Sequence, residues 1–415
     1  MKETTNLKLL YAFNFLKSLH FFGALSVPFY TIRLGFTYTH MFSLEAIFSV
    51  LLFFFEIPTG VVADKFGRRI SLFLGSVLFG ASFVLYGFAR TYPVLVIIQA
   101  TCALGLSLMS GADRALVYEV SRAIDDDAAN IAARNGRYDS FGTAGMLAAF
   151  PIGSVFATSG ILSYTQALGA VFVATGASML ISVLLLIRVR ENPRPVLTEH
   201  PLALGIRGFL TLFRSRDLAL LSINTAVISS FTFLMFWLYQ SLLMEMNFPV
   251  AGFGFVAAAF NALGMVLLFN VGTIRKKLSD RTFLLATSVL PGILYLVAGL
   301  FPVIPVALIA IMGVTAMRFI RAPVTATLIN DGIGDELRAT VLSGLSMLER
   351  IVTTGFYFVV GFLSDRSVPL ALLVIGVLTL LVSFLVRPGR GRRTHQARTS
   401  HPGAPGSEIV TSGDI

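Results

Sequence analysis

The chain has 415 residues, 55% hydrophobic and only 13% charged, with a mean hydropathy of +0.81 and a formal net charge of +10. A water-soluble domain carries about 25% charged residues, so this balance excludes an ordinary soluble enzyme or binding module and points to a membrane protein. One cysteine and five unclustered histidines rule out an intramolecular disulfide and argue against a metalloenzyme.

Crossing about 30 Å of hydrocarbon at about 1.5 Å per residue takes roughly 18 or more mainly apolar residues. Twelve stretches meet that length: 8–30, 42–63, 70–89, 94–119, 138–158, 163–187, 218–244, 251–273, 282–301, 303–326, 338–363 and 368–386. They are apolar on every face, the pattern of helices and not of alternating barrel strands. The expected fold is an all-α polytopic bundle. MKETTNLKLL lacks the features of a cleavable signal peptide and leads straight into the first span.

Lys and Arg set the orientation. With both termini cytoplasmic, 24 of the 32 fall in the N-terminal end, the even-numbered loops, the central connection and the tail; Arg33, Arg90 and Arg366 face the outside, and Lys17, Arg114, Arg318, Arg321 and Arg350 lie within spans. The expected location is the cytoplasmic (inner) membrane. The positive charge then faces anionic lipid and is not a nucleic-acid footprint.

Placing an ionisable side chain inside a span costs at least about 2.5 kcal/mol, and such groups usually face a cavity or a partner. The first span carries Asn14, Lys17 and His20 at i, i+3 spacing, close to one face. Glu56 lies in the second span, Asp113 and Arg114 in the fourth, and Glu119 at its cytoplasmic boundary. Lys17, Glu56 and Asp113 are each about 9–14 Å in from their cytoplasmic ends, a depth at which they can share one layer. Residues 188–217 hold two close prolines and six arginines, the composition of a cytoplasmic linker with a short interfacial helix near Leu204 to Phe213. Beyond it, the seventh span carries Asn224, Phe231, Trp237, Tyr239 and Gln240, with Trp237 near the periplasmic end, where an interface belt is expected. Arg318 and Arg321 follow in the tenth span and Glu349 and Arg350 in the eleventh. The tail 387–415 is basic, then rich in Pro, Gly and Ser, and is expected to be disordered.

An internal repeat divides the chain. Arg114-Ala-Leu-Val recurs as Arg321-Ala-Pro-Val, 207 residues later, and the basic loop DKFGRR has a counterpart in TIRKKLSDR from Thr273. Two six-helix halves, 1–187 and 218–386, joined by 188–217, are the simplest organisation.

Gly60 to Arg69, GVVADKFGRR, resembles the G-x-x-x-D-x-x-G-R-R/K signature of the major facilitator superfamily, and it falls in the loop between the second and third spans, where that signature sits. EIPTGVVADKFGRR, SGADRALVYE and RATVLS together resemble a bacterial branch labelled as drug or metabolite efflux. The resemblance covers residues 8–386 and implies a twelve-helix transporter that works by alternating access. It implies a cytoplasmic gate at Gly60, Asp64, Gly67, Arg68 and Arg69, with Glu119 as a candidate partner for either arginine. It also implies that the first, fourth, seventh and tenth helices line a central cavity. A glycine and proline signature of antiporters is only partly matched by Pro151 and Gly153, which serve equally well as small-residue helix packing.

The candidate coupling residues are therefore Asp113 first and Glu56 second, with Lys17, Arg114, His20 and Glu349. The alternative for Asp113 is a permanent salt bridge to Lys17 or Arg114. The candidate cavity residues are Asn14, Arg318, Arg321, Arg350, Asn224, Tyr239 and Gln240, and a structural pairing of Arg321 or Arg350 with Glu349 is the alternative for those two. The intramembrane cations suit a substrate with carboxylate or phosphate groups better than a lipophilic cation. No P-loop is present, so energy must come from an ion or substrate gradient. The expectation is a monomeric, cofactor-free, proton-coupled exporter of a small amphiphilic or anionic molecule in contact with lipid. Its alternatives are an importer of an anionic nutrient by symport and a non-transporting receptor or lipid-handling protein on the same fold.

Overall fold

The computed structural model describes residues 2–191, 208–331, 333 and 338–386. The expected disordered tail, and the linker from 192 to 207, lie outside the described residues. The long helices are α1 (Lys2–Lys17), α2 (Tyr38–Phe66), α3 (Arg68–Phe88), α4 (Tyr92–Met109), α5 (Ala112–Ile124), α6 (Ala128–Thr158) and α7 (Tyr164–Arg188). After the central connection come α8 (Arg216–Glu245), α9 (Phe253–Lys277), α10 (Asp280–Leu300), α11 (Ile304–Asp331), α12 (Arg338–Arg366) and α13 (Val368–Leu385). No strand occurs among the described residues.

Local chemistry explains where several helices start. Thr37, Asp127, Ser163, Ser215, Ser279 and Ser367 each accept a hydrogen bond from a first-turn N–H, satisfying donors that have no intrahelical partner. Ser163 and Gln166 form a reciprocal capping box.

Among the described residues, eleven helical stretches are long and apolar enough to cross a membrane. The twelfth expected span, 8–30, is discontinuous. Beyond Lys17 the chain turns irregularly through residues 18–25 before the short helix Ser26–Pro28 and a π-turn, Phe29–Arg33. The fourth span is also broken, between α4 and α5 at Ser110 and Gly111, where Gly111 takes φ +77°. That value lies in the left-handed region that glycine enters without a Cβ clash.

The helices form two packed groups, 2–191 and 208–386, with α3 packed on α7 in the first and α10 on α13 in the second. Glycines make both contacts close. A Cβ on Gly176 would stand 2.5 Å from the Gly80 carbonyl oxygen, and one on Gly376 would stand 3.0 Å from that of Gly292. Without a hydrophobic drive between helices in lipid, such backbone approach supplies the dispersion contact that holds them.

The two groups meet along α2 with α12 and α6 with α9. Lys65, Arg68 and Arg69 mark one side of the bundle, called here the basic side. The described cross-group hydrogen bonds gather at the far side. Asp365 accepts from the N–H groups of Tyr38 at 2.5 Å and Thr39 at 3.1 Å, and Glu245 ties α8 to the start of α13 nearby by accepting from Val368 N–H. Gly254 lies so close to α6 that a Cβ there would be 2.1 Å from the Phe150 oxygen.

Gly176→Val should therefore force α3 and α7 apart, lowering stability by about 1–3 kcal/mol, whereas Gly136→Ala, with nothing within 4 Å of its added carbon, should be neutral or slightly stabilising. Thermal unfolding of the two purified variants, followed by size-exclusion monodispersity, checks this ordering.

Candidate functional site

The break in the first span leaves backbone groups that an α-helix would have satisfied. Gln240 of α8 repairs two of them. Its Oε1 accepts from Val27 N–H at 3.0 Å and its Nε2 donates to the Gly23 oxygen at 3.1 Å. On the other flank, Gly145 and Gly153 of α6 make room, since Cβ atoms there would stand 2.5 Å from the Phe15 oxygen and 2.0 Å from the Phe21 oxygen. The partly matched Pro151 and Gly153 segment thus includes a seat for an irregular backbone.

Between the two groups lies a chamber of about 730 Å³, with walls running from Trp237 and Tyr357 toward Leu106 and Ser346 on the basic side. Its ionisable lining is His20 and Glu45 from the first group and Arg318, Glu349 and Arg350 from the second. Arg318 lies over the Phe233 ring, 4.7 Å from its centroid, and its guanidinium has no carboxylate oxygen within 4.0 Å among the described residues. Glu349 lies beside Ser229 and feels the charges of Arg318 and Arg321. Arg350 is committed to Glu56, Nη1 to Oε1 at 2.9 Å, across the two groups.

Lys17 and Asp113 form a second ionic centre. Lys17, the last residue of α1, places Nζ 2.8 Å from Asp113 Oδ2, and Tyr138 donates to the same oxygen at 3.1 Å. Asn14 holds the Tyr138 backbone oxygen at 2.7 Å, and Lys17 also lies over the Phe13 and Tyr138 rings. Asp113 stands in the first turn of α5, immediately after the break at Gly111. The ion pair consequently ties the two broken spans together at their interruptions.

At the basic side, Gly67 separates α2 from α3 with φ +96°. Glu191 accepts from the N–H groups of Arg68 at 2.9 Å and Arg69 at 2.8 Å, closing the N-terminus of α3 with a carboxylate. The Arg68 side chain pairs with Glu119, and Arg69 donates to the carbonyls of Leu186 and Ile187 at the end of α7. Gly60 lies near the end of α2. The Asp64 side chain lies outside the described residues.

Residues 8–354 match the family model described as Major Facilitator Superfamily. The chain belongs to this superfamily. Solved structures agree on the fold. A bacterial homolog of the human lysosomal transporter Spinster, inward-facing and unoccupied, is 16% identical, with 93% of this chain and 97% of that chain covered and a TM-score of 0.74. The nucleoside transporter NupG is 12% identical, with coverages of 92% and 98% and a TM-score of 0.75. A D-xylose-proton symporter is 16% identical, with coverages of 92% and 96% and a TM-score of 0.70. Comparison with curated proteins finds no match.

Within this Major Facilitator fold the sequence candidates separate into groups. Lys17 and Asp113 meet, but Glu56 does not join their layer, because its carboxylate pairs with Arg350. Arg114 turns outward to Asp139 at 3.4 Å, both largely exposed. Arg321 is buried away from the chamber, where it donates to the Leu284 carbonyl, Thr287, Ser288 and Asn224 at 2.5–3.0 Å. Asn224 completes that cluster through a 2.8 Å bond to the Val386 oxygen. Tyr239 is fully buried against Phe260, and Gln240 serves the broken backbone and not a ligand. Trp237 is 8% exposed and lines the chamber, where a belt position was expected; α8 turns its Trp face inward. Glu45, Tyr138 and Glu191 were missed. Glu45 was visible as an acid inside the span 42–63, whereas Tyr138 and Glu191 gave no signal of their own.

Arg321→Ala should strand its buried acceptors and lower stability by at least about 2 kcal/mol. Arg318→Ala should leave the melting temperature within a few degrees of the parent, because its guanidinium faces the chamber. Parallel melting curves in the same detergent check this contrast.

Proposed function

We propose that the protein is a secondary active transporter that moves a small amphiphilic or anionic molecule across the cytoplasmic membrane by alternating access, as proton-coupled efflux. The observation that carries this reading is a chamber walled by both helix groups, with the cross-group hydrogen bonds among the described residues gathered at its far side. Rocking the groups about such a chamber exchanges its access while the lining stays intact. The distribution of Lys and Arg supports cytoplasmic termini, and the EIPTGVVADKFGRR segment supports export through its resemblance to efflux carriers.

Arg318 supplies an anion partner and the Phe233 ring beneath it an apolar surface, which suits an amphiphile with a carboxylate or phosphate end. Asp113 is the proposed coupling acid, ahead of Glu56. Protonating it removes the charge that holds Lys17, and Lys17 ends α1 where the first span breaks. The same event loosens the fourth span at Gly111. One proton thus acts on two hinges, and the strength of a close ion pair away from bulk water makes its loss consequential. Arg68, Glu119, Arg69 and Glu191 serve as the cytoplasmic gate, joining α3 to α5 and to the end of α7.

An untargeted metabolite comparison of cells with and without the gene names the substrate and its direction: accumulation inside the deletion strain is expected, and loss of growth on a nutrient would establish import instead. In reconstituted vesicles, Asp113→Asn should reduce pH-driven flux of that compound to the level of empty vesicles while binding persists. Unchanged flux would remove Asp113 from the mechanism.

A further inference from the structure

A second cavity, of about 120 Å³, branches from the chamber in the first helix group. The two share Phe22, Glu45, Phe48 and Trp237, so the Glu45 carboxylate stands at their junction. The other intramembrane acids already discussed have their charge answered or shared. Asp113 has Lys17, Glu56 has Arg350, Glu119 has Arg68, and Glu349 feels two arginines. Glu45 has no Lys, Arg or His nitrogen within 4.0 Å among the described residues. Its neighbour is the neutral amide of Gln99. That amide is itself fixed, accepting from Tyr86, which accepts from Tyr30 at 3.4 Å, and donating to the Leu44 oxygen at 3.3 Å. The chain of partners is polar but brings no positive charge.

Around this carboxylate the wall is aromatic. Phe22 packs on Phe83 and on Phe172 at 4.7 Å each, and Tyr86 stacks on Phe172 at 5.5 Å. Phe79 meets Phe83 edge-on at 4.9 Å, and Trp237 closes the junction. His20, 6.5 Å from Phe83 in stacked geometry, belongs to the same wall. A carboxylate with no described countercharge in an aromatic-lined pocket is costly, and a proton or a bound cation relieves that cost. Aromatic rings line the same pocket, and the negative face of a ring quadrupole attracts a cation. Both features are relieved by one kind of ligand group, an organic ammonium, which pairs with the carboxylate while its alkyl substituents lie against the rings.

We propose that the Glu45 side pocket is a subsite for an organic cation, so that the transported molecule is amphoteric, with an alkylammonium end at Glu45 and an anionic end at Arg318. This rests on, and sharpens, the amphiphilic substrate proposed above. It replaces the preference for a purely anionic ligand that the intramembrane arginines suggest. Glu45 comes from the first helix group and Arg318 from the second, so such a molecule spans the interface that alternating access must open and close.

Trp237 is the only tryptophan of the chain and lines both cavities, so its emission reports directly on occupancy. The full-length protein in phosphatidylcholine nanodiscs is titrated with benzyltrimethylammonium. A saturable change in emission is expected, weakened at least about tenfold by Glu45→Gln and several-fold by Phe83→Leu, with Glu45→Asp retaining part of the affinity. No saturable change in the parent protein, or equal affinity in a Glu45→Gln variant with parental circular dichroism, overturns the subsite. Should Glu45→Gln fail to fold, undiminished binding by both Glu45→Asp and Phe83→Leu overturns it equally. A separate benzoate titration of the parent and of Arg318→Gln reads the anionic end. A negative result there counts against the substrate reading of the preceding section and not against the Glu45 pocket.

Discussion

In hydrocarbon no water is available to a backbone N–H or C=O, and each one left unpaired costs several kcal/mol. That constraint governs the most unusual segment of this protein, residues 18–25, where a span expected to be helical comes undone. The segment persists because its neighbours were built around it. Short-range turns satisfy part of its backbone, Gln240 donates to the Gly23 carbonyl within it and accepts from Val27 N–H just beyond it, and Gly153 of α6 admits the Phe21 carbonyl. The chamber owes its shape to the same break, since an irregular backbone brings Gly23 and the side chains of His20 and Phe22 into the wall that a straight helix would present differently.

The consequence is a bundle whose two halves share packing but not chemistry. Glycine contacts hold α3 to α7 and α10 to α13 alike, and α2 with α12 and α6 with α9 form matching seams. Yet the first and fourth spans are interrupted, while their counterparts α8 and α11 run unbroken for 30 and 28 residues. The repeated Arg-Ala motif shows the same divergence. Arg114 lies at an exposed surface beside Asp139, whereas Arg321 is buried and donates to carbonyl, hydroxyl and amide oxygens of two other helices, α8 and α10. A buried arginine answered by neutral acceptors gives rigidity, and it stands in the half without breaks. The hinges, and the acids at or beside them, stand in the other half.

How much of this the sequence carried follows from the same physics. Span positions were legible because a bilayer imposes a length and a hydropathy on every crossing, and the basic loop was legible because Gly67 and its charges have a fixed place relative to the spans. Facing was not. A helix apolar on all sides has no hydrophobic face to orient it, so Trp237 and Gln240 could not be assigned inward or outward, and Glu56 could not be assigned to Lys17 or to Arg350. Depth arithmetic put Lys17 and Asp113 together correctly because each lies next to the break in its span. It failed for Glu56, whose carboxylate follows the seam between α2 and α12 toward the opposite half. The break itself was invisible, since Leu19, Phe21, Phe22, Ala24 and Leu25 keep residues 18–25 within an apolar run and Gln240, which pairs with Gly23 and Val27, lies more than 200 positions away in the chain.

The balance between the two sides of the chamber explains how such an assembly can switch. Far-side closure relies on Asp365 with two backbone donors, on Gln240 with two backbone partners, and on the close approach of Gly254 to α6. Nearer the basic side, Glu56 and Arg350 link the halves through partly exposed side chains, an interaction worth roughly 1 kcal/mol or less in a wet setting. Hydrogen bonds of the far-side kind contribute about 0.5–1.5 kcal/mol each, and more where a charge takes part. The seal is therefore a handful of modest terms, small enough to be offset when ligand contacts form on both walls of the chamber. A molecule that bridges Glu45 and Arg318 would supply those contacts from both halves at once, and only in arrangements that bring the two walls within its length.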